Sequence, residues 1–313
     1  MTGKMSREQV NWLYEVVTKG KDKSFVSSDD GSKGDVKAPY LSEHGITLVP
    51  WDIETSSVDA PSVTSVPFTP LSRSITHKYR PEVDIPFTDY IRPEDRSDTE
   101  DNRRWSAQIC SGGTVRSFYQ WALGVRTSPR RHTSLMNFCG VHPVRFPDPF
   151  LRCGPRIGWH PPLGGRWDIC FFLEPEKQNT SPLPHIAVGA SQPVDARDNS
   201  ILYGELAVIL AVMNRRVNQP KVETEVEMES IFNESQEVFE EICQKIPAYP
   251  NEQEFPLLLF SFVGPQHARI LCASMDQRQL IVRMSKLYSF ERKEEAPFEL
   301  FTSWLFSRPV VER

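Results

Sequence analysis

The chain has 313 residues, enough for one large domain or two small ones, and its composition is 39% hydrophobic and 25% charged. This balance is that of a soluble globular protein, and a formal net charge of −5 excludes a general affinity for polyanions while leaving room for a local basic patch. No run approaches the roughly 18 to 20 apolar residues of a membrane helix, and charges interrupt the start of the chain where a secretory signal is apolar. We therefore expect a cytoplasmic or nuclear protein with no membrane partner.

Residues 1–104 are expected to form one short helix followed by a largely disordered arm. Ser6 to Lys19 places apolar residues at helical spacing. Residues 20–39 are small, polar and charged, and residues 54–101 are rich in Ser, Thr, Pro and acids. Such stretches offer too little apolar surface to offset the entropy of ordering. Between them, residues 45–53 could form a single strand or a docking segment.

Residues 105–313 are expected to form the folded domain. A helix is predicted over at least Val115 to Leu123, and the Pro-, Gly- and Arg-rich residues 127–162 favour loops. Residues 166–175 and 185–191 are strand candidates.

Two helices are predicted next. Residues 200–217 are apolar on nearly every side, so this helix should be central. Residues 221–246 alternate acids with an apolar stripe, which predicts one amphipathic helix with a solvated face.

Three strands should follow as an antiparallel meander, because GPQ and DQR supply turns between three apolar runs: Leu257–Val263, Ala268–Met275 and Gln279–Met284. A closing helix is predicted over residues 296–309. The predicted fold class is α+β, with this meander flanked by helices and preceded by a long, mostly disordered arm. The 200–217 helix should cover the more apolar face of the meander, which carries Ile270 and Cys272.

The order of helix, three strands and helix resembles the core of the PD-(D/E)XK nuclease-like superfamily. That resemblance implies a Mg²⁺ ion held by a helix Glu, a strand Asp and a Glu-x-Lys, because Mg²⁺ prefers oxygen ligands. Glu205 would match the helix Glu and is the candidate catalytic residue. The second strand offers only Asp276 at its end, and the third has no carboxylate before Lys286. An Arg-paired or exposed helix acid is the alternative, and we favour it for Glu205.

A zinc site is the second candidate. Cys139, His142, Cys153 and His160 lie in one Gly- and Pro-rich segment, and two thiols with two imidazoles can bind Zn²⁺ tetrahedrally. Their spacing is not that of a standard zinc motif, so we expect no metal and no cofactor. The six cysteines show no repeated spacing and are expected to be reduced and mostly buried.

Other motifs give weaker signals. No Gly-x-Ser-x-Gly elbow, phosphate loop or dinucleotide fingerprint is present, and nothing local singles out one of the six cysteines to pair with one of the seven histidines as a nucleophile. The basic run RTSPRRHTS (126–134) could contact an acidic partner or nucleic acid, or present Thr133 to a basophilic kinase. A solvated loop is the simpler interpretation, and a nucleic-acid partner is not supported.

Three cationic side chains on the meander are candidate ligand-binding residues: His267, Arg269 and Arg283. The arginines could line a pocket for an anionic ligand. The alternative, which we favour, is that they pair with acids of the predicted 221–246 helix.

The C-terminal third is similar to a family of uncharacterised proteins from filamentous fungi, through GPQHAR (264–269) and SKLYSFERK (285–293) above all. That resemblance implies an intracellular fungal protein with an accessory role in specialised metabolism, and it transfers no catalytic residue. We therefore expect a non-catalytic interaction or accessory protein with a protein or small-molecule partner. The alternative is an enzyme, either a phosphodiester hydrolase or an accessory enzyme of metabolite synthesis, because catalytic residues are often far apart in a sequence.

Overall fold

A computed structural model describes most of the chain: residues 2–29, 32–55, 66–81, 84–97, 102–123, 134–161, 165–176 and 183–310. The α-helices of this part are α1 (Thr2–Tyr14), α2 (Ala38–Glu43), α3 (Arg73–Lys78), α4 (Ala107–Leu123), α5 (Leu135–Cys139), α6 (Tyr203–Val217), α7 (Glu225–Asn233), α8 (Gln236–Lys245) and α9 (Phe298–Leu305). A π-helical turn, Glu15–Lys19, continues α1, and 3-10 turns occupy Pro93–Asp95, Asn102–Trp105 and Pro149–Arg152. None of these helices is long and apolar enough to cross a membrane.

The described strands are β1 (Ile46–Pro50), β2 (Phe68–Thr69), β3 (Val141–Pro143), β4 (Ile157–Trp159), β5 (Arg166–Pro175), β6 (Ile186–Asp195), β7 (Leu257–Gly264), β8 (His267–Asp276), β9 (Gln279–Met284), β10 (Tyr288–Ser289) and β11 (Arg308–Pro309). Nine of them form one mixed sheet in the order β1-β9-β8-β7-β6-β5-β3, with β4 also paired to β5 and β10 to β8. The pairs β6–β7 and β1–β9 are parallel, and the others in this sheet are antiparallel. Strands β2 and β11 pair separately.

The α+β fold class predicted from the sequence is wrong. The three strands of the predicted meander are present and antiparallel, but they lie in the middle of a nine-stranded mixed α/β sheet with a parallel neighbour on each side. Parallel pairing joins segments that are distant in the chain. The alternation of apolar and polar residues within one strand does not encode such a partner.

The prediction of a long disordered arm is also wrong for the described residues. Backbone hydrogen bonds close a compact loop, from Ser27 N to the Asp35 carbonyl (2.8 Å) and from Val36 N to the Ile201 carbonyl (2.9 Å). The few apolar side chains of this polar stretch, such as Phe25, are buried in the core, and strand β1 pairs with β9. The remaining parts of the predicted arm lie outside the described residues, namely 30–31, 56–65, 82–83 and 98–101.

Two hydrophobic cores lie on opposite faces of the sheet. Helices α1 and α6 pack on one face, and helices α4 and α9 pack on the other with a cluster of phenylalanine and tryptophan rings. All residues of α6 are buried, in agreement with its apolar sequence. However, α6 lies on the face of Leu271 and Ala273, and not on the Ile270 and Cys272 face that we predicted. The reason is a buried ion pair between this helix and β8, described below.

The predicted 221–246 helix is two helices, α7 and α8. The helical conformation is interrupted between them. Ser235 is the N-cap of α8, and its hydroxyl accepts a hydrogen bond from Val238 N (3.3 Å). Three side chains of this hairpin are buried in a small separate cluster: Ile231, Phe239 and Cys243.

Candidate ligand-binding cleft

The candidate catalytic and ligand-binding residues Glu205 and Arg269 bind one another. Arg269 Nε donates to Glu205 Oε1 (2.8 Å), a second guanidinium nitrogen contacts Glu205 Oε2, and both side chains are 0% exposed. Arg269 also donates to the carbonyls of Arg197 (2.7 Å) and Ser200 (2.8 Å). Glu205 also accepts from Leu202 N (2.9 Å) at the start of α6. Both carboxylate oxygens of Glu205 are engaged by Arg269 and both side chains are enclosed, so we interpret the pair as structural.

We predicted that Arg269 pairs with acids of the 221–246 segment. That prediction is wrong, because Arg269 pairs with Glu205 of α6. His267 begins β8 and is half-buried. Arg283 on β9 is half-buried, and within the described residues its Nε and Nη1 atoms have no hydrogen-bond partner. These three candidates do not converge on a common ligand site.

The four candidate zinc ligands have four different environments. Cys139 packs against the core on the α4 and α9 face, and His142 lies 4.0 Å from Glu174. Cys153 packs against the cluster that contains Cys243, and His160 contacts Gln192. Among the described residues, no group of three or more His, Cys, Asp or Glu side chains could hold a metal ion. Of the basic run 126–134, all but Ser134 lies outside the described residues.

A different site forms where the N-terminal segment meets β4, β5 and the first turn of α6. Strand β4 pairs with β5 so that Gly158 lies opposite Trp167. A β-carbon at Gly158 would overlap the Trp167 ring, so glycine is what allows the indole to lie flat on the neighbouring strand. The next residue, Trp159, projects into solvent and is 65% exposed.

A second glycine makes room for a buried imidazole. His160 is 0% exposed, and its Nε2 lies 2.9 Å from the side-chain oxygen of Gln192. Any β-carbon at Gly204, in the first turn of α6, would overlap both of these groups. Burial lowers the pKa of His160 to about 4, so the ring is neutral at neutral pH. With the proton on Nε2 facing the amide oxygen, Nδ1 is an acceptor without a partner among the described residues.

Two lysines form the opposite wall. Lys23 Nζ donates to the carbonyls of Val17 and Thr18 and lies 5.3 Å from the centre of the Tyr203 ring. Burial lowers the pKa of Lys23. Lys19 is exposed and pairs with Glu15 at 2.7 Å.

These groups enclose a cleft of about 580 Å³, which we call the aromatic cleft. This volume lies in the range of small-molecule sites. Four aromatic side chains line it, and none of its described lining residues is Asp, Glu, Ser or Cys: Tyr14, Thr18, Lys19, Lys23, Pro155, Ile157, Gly158, Trp159, His160, Pro161, Trp167 and Tyr203. The cleft therefore offers ring faces and two ammonium groups, and its described lining contains no carboxylate and no Ser or Cys.

Another cavity, of about 540 Å³, lies beside α4 and is lined by Trp105, Ile109, Gly113 and Gln266 among others. It contains fewer large rings than the aromatic cleft and no buried imidazole. It serves below as an internal control for ligand binding.

Comparison with known proteins gives no relative for this fold or site. No family model, curated protein or solved structure matches the chain.

The sequence analysis named His160, but only as a zinc ligand, and it missed the other groups of the cleft. The available signal was the stretch IGWHP (157–161), where a Gly between apolar residues precedes an aromatic and a histidine. The lysines and Tyr203 could not be linked to that stretch, because they come from segments about 140 and 40 residues away.

Proposed function

We propose that this protein is a non-catalytic binding protein whose aromatic cleft holds a small, planar, anionic molecule. The observation that carries the proposal is the composition of the cleft, four rings and two lysines with no described carboxylate in its lining. Ring faces bind flat apolar ligands by stacking, and ammonium groups favour a negative charge.

The placement of these groups supports binding rather than catalysis. The rings are held by backbone packing, since Trp167 lies on Gly158 and the His160 imidazole lies against Gly204. A rigid wall of this kind binds a ligand with little loss of side-chain entropy. The buried histidine of the lining, His160, is neutral at neutral pH and is held by Gln192.

The accessory role in specialised metabolism that the fungal resemblance implies is part of this proposal. In such a role, the ligands of the aromatic cleft would be small aromatic acids produced by that metabolism. The nuclease-like alternative has no support from Glu205, whose carboxylate is engaged by Arg269 and by the backbone of Leu202.

The test uses two fluorescent probes that share one aromatic frame, anilinonaphthalene sulfonate and the uncharged N-phenylnaphthylamine. Removing the exposed ring in Trp159→Ala should weaken both probes by roughly five- to tenfold, in line with the stacking contribution of one ring. Removing the exposed charge in Lys19→Met should weaken only the sulfonate, by roughly two- to fivefold.

The matched control is Ile109→Ala, which shortens another exposed apolar side chain (53%, against 65% for Trp159) in the cavity beside α4. It should leave both affinities unchanged. Unchanged binding by Trp159→Ala, or loss of binding in Ile109→Ala, would show that the aromatic cleft is not the site.

A further inference from the structure

Two of the six cysteines interact through their side chains. All six lie in the described part of the chain and none is in a disulfide. Cys153 packs against the cluster that contains Cys243, and its S–H lies 3.4 Å from the Pro149 carbonyl and 4.0 Å from the Asn218 carbonyl. Cys272, by contrast, is embedded in the core on the α4 and α9 face, and Cys139 is half-buried against that core.

Arg152 fixes this pair in place. Its Nη1 donates to the carbonyls of Phe232 (2.7 Å) and Glu234 (2.8 Å) at the end of α7, and its guanidinium lies 4.4 Å from the centre of the Phe239 ring of α8. The α7–α8 hairpin is thereby clamped to the 3-10 turn that leads into Cys153. The two thiols are held together by contacts that do not involve them.

The pair is open to small molecules. Both sulfur-bearing side chains line a cleft of about 520 Å³ between α1, α6 and α8. Cys153 is half-buried and Cys243 is 6% exposed, and both line this cleft, so a disulfide of low molecular weight reaches the pair through the cleft.

The two thiols differ in acidity. The pKa of Cys243 is lowered because Cys153 donates a hydrogen bond to its sulfur, and Arg152 adds a nearby positive charge. The pKa of Cys153 is raised well above its ordinary value, because it is the donor in that hydrogen bond and is buried. Cys243 is therefore the better thiolate and Cys153 the better resolving thiol.

We propose that Cys153 and Cys243 are a redox-sensitive site that forms a reversible intramolecular disulfide by exchange with a small-molecule disulfide such as oxidised glutathione. The Cys243 thiolate attacks one sulfur of the small disulfide, forms a mixed disulfide and releases one thiolate, which takes up a proton. Cys153 then loses its proton and attacks the Cys243 sulfur, and the second small thiol leaves. The protein loses two electrons and two protons, and the small disulfide gains them as two thiols.

This inference is independent of the proposed ligand. The disulfide would join the segment before β4 to α8 and close a loop of about 90 residues. A cross-link over such a loop restricts the unfolded chain, so the oxidised protein should resist thermal unfolding more than the reduced protein.

The experiment uses the purified full chain equilibrated with mixtures of reduced and oxidised glutathione, then alkylated and digested without reduction for mass spectrometry. The expected result is a peptide pair linked through Cys153 and Cys243, with Cys139 still alkylated, and a rise in the unfolding midpoint of about 4 °C or more. Dithiothreitol should reverse both.

Cys153→Ser and Cys243→Ser should each lose the cross-link and the midpoint shift. The matched control Cys139→Ser, another half-buried thiol, should keep both. Stable mixed disulfides without the internal link, or a link to any other cysteine, would overturn the proposal.

Discussion

The two faces of the central sheet are covered by helices that are held in different ways. On one face, α4 and α9 pack through stacked and edge-on rings around Phe301, including Phe118 and Phe290. On the other face, the apolar helix α6 is also fixed by the fully buried pair of Glu205 and Arg269. The hydrophobic effect that buries these rings is non-directional, and it is spread over many residues. A buried ion pair is directional, and either partner alone is an uncompensated charge.

This contrast explains the position of α6. Its apolar surface could pack on either face, whereas the buried Arg269 on one face needs a carboxylate from the covering helix. The pair therefore specifies which face α6 covers, and the hydrophobic contacts supply most of the free energy of folding.

The largest loss of stability is expected when the ion pair of Glu205 and Arg269 is broken. Arg269→Met leaves Glu205 buried without its partner, so the free energy of unfolding should fall by about 3 to 5 kcal/mol. Urea unfolding of Arg269→Met, Glu205→Leu and the double variant measures this. The double variant should be about 2 kcal/mol more stable than the sum of the single losses predicts. Additive losses would show that the two side chains are not energetically coupled.

The second largest loss of stability is expected on the face covered by α4 and α9. Ile270 is 0% exposed among aromatic neighbours, so Ile270→Ala should lower the free energy of unfolding by about 2 to 5 kcal/mol. Ile281 on β9 is only half-buried, so Ile281→Ala is the matched control and should cost clearly less. Equal urea midpoints for the two variants would contradict the burial described for this face.

The stability of the protein should depend on pH through one buried histidine on each face of the sheet, His160 and His185. Burial lowers the pKa of both His160 and His185 to about 4, below the usual 6.5. The unfolded chain binds these protons more tightly, so stability should be lost as the pH falls from about 6.5 to about 4, by up to about 3 kcal/mol for each histidine.

Unfolding of His160→Gln and His185→Gln across this pH range measures the effect. Each variant should show a smaller loss of stability than the parent protein between pH 6.5 and 4, whatever its stability at pH 7. Parallel curves for a variant and the parent would mean that the replaced histidine is not buried in its neutral form.

The smallest effect on stability is expected when an ion pair at the protein surface is removed. Lys286 and Glu54 pair at 2.8 Å, and both are largely exposed. Solvent and salt screen such pairs strongly. Lys286→Met should therefore leave the urea midpoint unchanged within error, and a clear shift would show that this pair is more enclosed than described.

Parts of the fold were predictable because they depend on local order. The apolar residues of α6 indicated a central helix, and the period-two runs after Phe255 indicated three paired strands. The arm was mispredicted because its composition is polar on average. Three apolar side chains, Phe25, Val26 and Val36, are enough to anchor its first part once the core provides a surface for them.

The candidate site was less predictable than the fold. His160 could be recognised as a functional candidate, but its polar partner, Gln192, and the opposing Lys23 are distant in the chain. Glu205 was correctly suspected of pairing with an arginine, whereas the acid partner of Arg269 was assigned to the wrong helix.

The sequence by itself determined which segments are apolar, which side chains of each strand share a face, and where α6 lies in the chain. These properties depend on the period of neighbouring residues. Tertiary structure alone decided that β6 and β1 flank the meander in parallel, that Glu205 meets Arg269, and that a lysine wall faces the tryptophans of β4 and β5. Such pairings join surfaces far apart in the chain, and many arrangements share the same local pattern. The choice among them depends on complementary shape and charge, which exist only after the chain has folded.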